Sequence, residues 1–148
     1  MQFEQFIEQV KEEGKLSSRD DALRITEATL ETLGERLYRT ERVDLGAQLP
    51  GELKDFLFKR QEPEPTNRRH TDRYLLQEFF NRVGARAGTG YYDAAQRARA
   101  VMHVLRQAVS PGALDKALDG LPDEYRELAY GNSFRGPGFP SLDNQNAE

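Results

Sequence analysis

Apolar residues recur along this chain at intervals of three and four, the spacing of one helix face. Phe3, Phe6, Ile7 and Val10 predict a first helix near 2–13, ended by Gly14. Ser18 is placed to cap a second helix, with Asp20 and Asp21 at its positive end. Ala22, Ile25, Thr29, Leu30, Leu33 and Leu37 form its stripe from about 19 to 37. Thr40 is the expected cap of a third helix carrying Val43 and Ala47. Pro50 breaks that helix and opens a fourth, whose inner face is Leu53, Phe56 and Leu57. The polar run QEPEPTNRRHT, residues 61–71, has two prolines and reads as a linker.

The pattern then starts again. Leu75, Leu76, Phe79, Phe80 and Val83 predict a helix near 72–86, followed by a loop loosened by Gly84, Gly88 and Gly90. Ala94, Ala98, Val101, Met102, Leu105 and Val109 mark a long helix near 93–109. Ser110-Pro111 is a cap with Pro in the first turn of a short helix that carries Leu114 and Leu118. Pro122 breaks it, and Tyr125, Leu128 and Ala129 face inward on the last helix. Residues 131–148 are irregular, and no segment shows sustained strand alternation.

The halves match at an offset of 72 residues: Asp21-Ala22 with Asp93-Ala94, Leu33 with Leu105, Leu49-Pro50 with Leu121-Pro122. The first helices match at 73, Phe6 with Phe79 and Val10 with Val83, because one loop differs by a residue. The expected fold is therefore all-α: two tandem four-helix repeats, 1–60 and 72–130, packed as a helical bundle, with a linker at 61–71 and an irregular C-terminal tail at 131–148.

Composition narrows the function more than the fold. Charged residues make up 31% of the chain and apolar ones 37%, so amphipathic elements must surround a thin core. Cysteine is absent, which removes disulfides, thiolate metal sites and cysteine nucleophiles and fits a reducing cytoplasm. No stretch approaches the roughly 20 apolar residues that span a bilayer, and the N-terminus lacks the apolar run of a signal peptide. A net charge of −4 gives no global attraction to nucleic acid or anionic lipid.

Several stretches carry a resemblance. They are Thr29-Leu30-Glu31-Thr32-Leu33-Gly34-Glu35-Arg36-Leu37 and Asp44-Leu45-Gly46-Ala47-Gln48-Leu49-Pro50 in the first half. In the second they are Arg99-Ala100-Val101-Met102-His103-Val104-Leu105 and Leu121-Pro122-Asp123-Glu124-Tyr125. Over about residues 3–130 the chain resembles a bacterial domain family of unknown function marked by a duplicated helical unit. The resemblance implies the fold and carries no activity, catalytic residue or cofactor.

The candidate chemistry is sparse. His70 lies in the linker, and His103 lies off the Val101/Met102/Leu105 stripe, so both read as surface residues with no metal pattern. Glu27, Glu31 and Glu35 repeat every four residues and, without a histidine three residues on, read as a solvated charged face. Gly84-Ala85-Arg86-Ala87-Gly88-Thr89-Gly90 lacks the strand and Lys-Ser/Thr ending of a phosphate cradle and reads as a loop. Tyr91-Tyr92 reads as packing over that loop. Arg68, Arg69 and Arg73 form the densest basic patch and could contact phosphate, although Glu62, Glu64 and Asp72 flank them. Phe134, Phe139 and Leu142 are apolar residues in a tail that forms no core, and must dock on the body, on a second copy or on a partner.

The expectation is a non-enzymatic, cytoplasmic helical interaction or scaffold protein without catalytic residues, cofactor or metal. Its partner would be a protein, a homodimer included, and no membrane. A nucleic-acid-associated regulator acting through Arg68, Arg69 and Arg73 is the alternative, and an enzyme without recognisable motif the third reading.

Overall fold

A computed structural model of the chain describes residues 1–60 and 75–131. Among these residues there are eight helices and no strand: α1 Phe3–Glu13, α2 Arg19–Arg36, α3 Arg39–Gly46, α4 Gly51–Leu57, α5 Leu76–Ala87, α6 Tyr91–Ala108, α7 Pro111–Asp119 and α8 Glu124–Tyr130. No helix is long and apolar enough to cross a membrane among the described residues. The linker and all of the tail but Gly131 lie outside them, and with them Arg68, Arg69, His70, Arg73, Phe134, Phe139 and Leu142.

Local chemistry sets most of the boundaries. Ser18 Oγ accepts the Asp21 amide at 3.1 Å and Ser110 Oγ accepts that of Ala113 at 3.3 Å, the caps expected for α2 and α7. Gly88 leaves α5 with φ +76°, a left-handed conformation that a glycine adopts without Cβ strain. Four expectations need correction. The third helix starts one residue before Thr40, where the Glu41 carboxylate accepts the Tyr38 amide at 2.9 Å. Its inner face is Arg42, Leu45 and Gly46; Val43 is 45% exposed and Ala47 is exposed too. Leu75 is exposed at the N-cap of α5, because the helix begins only at Leu76. Gly84 lies inside α5, not in a loop: a Cβ there would meet the Thr89 carbonyl at 2.9 Å, so the glycine lets the next turn fold back onto the helix.

The long helices α2 and α6 lie at the centre. α2 contacts α1, α4, α5 and α6; α6 contacts α5, α8, α1 and α2; and α3 contacts α7. Each first helix therefore packs on the long helix of its own half and on that of the other. One contiguous core joins both, from Phe6, Ile25 and Leu33 to Phe79, Met102 and Tyr125. Phe79 meets Phe80 and Tyr125 edge to face, at 5.9 and 5.5 Å between centroids. Leu49 and Leu121, the residues before the two prolines, are both buried. Leu49 keeps 9% exposure, so Leu49→Ala should cost about 2 kcal/mol, the low end for a buried leucine. Urea unfolding would measure it, and a loss under about 1 kcal/mol would contradict the packing.

Tyr125 gives a second check. Burial pushes its phenol well above the ordinary 10.0. The folded value is the raised one, so its contribution to stability is complete below about pH 10 and falls away as pH rises further, once the unfolded phenol ionises. Absorbance titration should show one tyrosine that ionises only as the protein unfolds. Loss of that lag in Tyr125→Phe would assign it.

Candidate functional site

Of the seven buried polar or charged side chains among the described residues, five lie on α2: Thr26, Thr29, Glu31, Thr32 and Arg36. The reason is the position of α2. A helix enclosed by four others has no wide solvent face, so charged groups on it must find partners inside the protein.

The partners converge from two other elements. Lys59 and Arg60 follow the end of α4, and Arg82 and Arg86 stand one turn apart on α5. Arg86 grips Glu35 with both terminal nitrogens, Nη1 to Oε2 at 3.0 Å and Nη2 to Oε1 at 3.1 Å. Its Nη1 also donates to Thr32 Oγ1 at 2.8 Å, and that hydroxyl donates to the Ala28 carbonyl at 2.7 Å. Arg82 divides its guanidinium between Glu35, at 3.0 Å, and Glu78, at 2.8 Å. One turn earlier, Glu31 has a side chain only 4% exposed. Lys59 Nζ stands 3.3 Å from it, Arg60 Nε 3.4 Å and Arg86 Nε 3.9 Å. Lys59 also binds Glu27, and the two carboxylates together hold its ammonium above its ordinary range.

Glu31 and Glu35 are thus no solvated face. They are the closed half of an ion cluster that ties α2 to α4 and α5; only Glu27 and the outer arms of the cations reach water. Above the cluster opens a cleft of about 210 Å³ lined by Arg24, Glu27, Ala28, Glu31, Lys59, Arg60 and Arg86.

The second half has a cleft in the corresponding place, about 250 Å³, lined by Glu13, Gly14, Lys15, Gln96 and Arg99. At the offsets of 72 and 73 residues, His103 stands where Glu31 stands, and Glu13 where Arg86 stands. The contact recurs with the carboxylate on the other helix: His103 Nδ1 lies 3.2 Å from Glu13 Oε2, and Nε2 lies 3.0 Å from the Gly131 carbonyl. His103 is 8% exposed, which corrects its reading as a surface residue. It sits where the enclosed long helix must again satisfy a polar group internally. A family model described as an uncharacterised conserved protein, DUF2267, matches residues 3–128. The chain belongs to this family. The match takes in every residue of the ion cluster and both clefts, and stops short of Gly131. No curated protein matches the chain.

The Tyr91-Tyr92 pair divides. Tyr91 packs edge to face on Phe80 at 5.8 Å, while Tyr92 is 66% exposed. No group of three or more histidine, aspartate and glutamate side chains is placed to hold a metal ion among the described residues. The ion cluster was the feature that sequence reading missed. Its signal was present: a glutamate row at 27, 31 and 35 and an arginine pair at 82 and 86 share the same four-residue step.

Proposed function

We propose that this protein is a non-enzymatic helical interaction protein of the cytoplasm, built by duplication of one four-helix unit. The observation that carries the reading is the use of its buried carboxylates. Glu31 and Glu35, the groups a helical active site would draw on, are each held by two or more cations and serve as cross-links between halves. Duplication is supported by the contacts. Exchanging the halves maps α1 on α2 to α5 on α6, α2 on α4 to α6 on α8, and α1 on α6 to α5 on α2. The matched Glu31–Arg86 and His103–Glu13 pairs support it as well.

Val43 and Tyr92, apolar side chains left on the outside, are the positions at which we place contact with a protein partner. Cross-linking of the tagged full chain in its source cell, read by mass spectrometry, tests this. The expected result is a protein recovered in near-stoichiometric amount and lost with Val43→Glu or Tyr92→Glu, both variants remaining helical by circular dichroism. Turnover in a broad substrate screen that disappears with Glu31→Gln would contradict it. Salt-dependent retention of nucleic acid on a filter would favour the reading built on Arg68, Arg69 and Arg73 instead.

A further inference from the structure

The cleft over the ion cluster has spent its acceptors and kept its donors. Both carboxylate oxygens of Glu31 face cations, and Glu27 is occupied by Lys59. Arg86, the least exposed of the lining cations, is answered by Glu35. Two more exposed guanidinium groups of the lining are not answered in the same way among the described residues. Arg60 commits only Nε, to Glu31 at 3.4 Å, which leaves the four N–H groups on its terminal nitrogens. Arg24 makes no hydrogen bond, and its nearest carboxylate is Asp21 at 3.9 Å. A guanidinium presents a planar fork of donors matched to the oxygens of a phosphate.

The other half supplies an internal comparison. At the same offset Gln96 replaces Arg24 and Gly131 replaces Lys59, and the second cleft keeps only two cations in its lining, Lys15 and Arg99. The first cleft has four cations in its lining, Arg24, Lys59, Arg60 and Arg86, against those two. Its size adds a limit: about 210 Å³ is below the volume of a pocket that engulfs a whole cofactor.

We propose that this cleft is a binding site for a phosphate dianion, free or as the terminal group of a monoester, held by Arg24 and Arg60 with Lys59 and Arg86 completing the cationic lining. The site is independent of the interaction reading, since the two use different residues.

The test is NMR titration of the ¹⁵N-labelled full chain with inorganic phosphate and with phenyl phosphate at constant ionic strength. Saturable shifts of the Arg24 and Arg60 Nε–Hε resonances are expected. Arg24→Gln and Arg60→Gln should each weaken binding about tenfold, the scale of one lost charge-assisted contact. Lys15→Gln, in the second cleft, should leave it unchanged. Linear, unsaturated shifts spread over all exposed arginines would overturn the proposal. So would an affinity equal to the parent's in both cleft variants, checked as folded by circular dichroism, or tighter binding of glutarate than of either phosphate.

Discussion

Gly34→Ala is expected to destabilise the protein by about 3 kcal/mol or more, at or above the upper end for an overpacked site. In an open helix interior the same change would stabilise, because alanine is favoured over glycine by about 0.5–1 kcal/mol. Here packing reverses the sign. α2 and α4 approach so closely that a Cβ on Gly34 would lie 2.0 Å from the Leu57 carbonyl oxygen and 2.9 Å from its carbon. Backbone cannot rotate aside as a side chain can, so one helix must translate. That movement would also disturb Arg42, whose Nη1 donates to the carbonyls of Gly34, at 2.9 Å, and Leu37, at 2.8 Å. Thermal unfolding should show a fall of about 6–12 °C for a chain of this size. Gly112→Ala is the control: in the first turn of α7 nothing lies within 4 Å of the added carbon, so it should be neutral or mildly stabilising.

The second large effect is expected from Glu35→Ala, at about 3 kcal/mol, the low end for removing one partner of a buried pair. Glu35 has a side chain 6% exposed and receives three hydrogen bonds from Arg82 and Arg86. Their exposure sets the size of the loss. Arg82, 41% exposed, can turn its guanidinium to water, whereas Arg86, at 17%, is held by the walls of the cluster and keeps an uncompensated charge. Glu4, paired with Arg19 where both are largely exposed, is the contrast. Its loss should be small, as for most surface pairs.

The helices were legible in the sequence because each carries its own periodicity and, for α2 and α7, its own cap. The inner stripes of α1, α2, α5 and α6, Leu75 aside, lie where the spacing put them. α3 was harder: in a helix of eight residues, the aliphatic stem of Arg42 and the small Gly46 do the packing that a hydropathy pattern assigned to Val43 and Ala47. The polar site was not legible, for a physical reason. A glutamate every fourth residue is the signature of a wet helix face and equally of a row that meets arginines across an interface. Helical spacing is local, whereas the choice depends on which helix lies opposite. For Glu35 that helix is α5, some 50 residues away in the chain, and for Glu31 the closest cations come from the segment after α4. His103 shows the same limit, since Glu13 and Gly131 reach it from the two ends of the described chain.

The claim that the α2 cluster cross-links the halves is tested most directly by a double-mutant cycle on Glu35 and Arg86. Glu35→Gln, Arg86→Met and the double variant would be compared with the parent by urea unfolding, with equal m-values as the check that the folded state is retained. The bidentate geometry predicts a coupling of about 1.5–3 kcal/mol between the two residues, with the double variant recovering much of the loss seen in Glu35→Gln. A coupling below about 0.5 kcal/mol, the level at which distant sites simply add, would mean that the pair does not join α2 to α5.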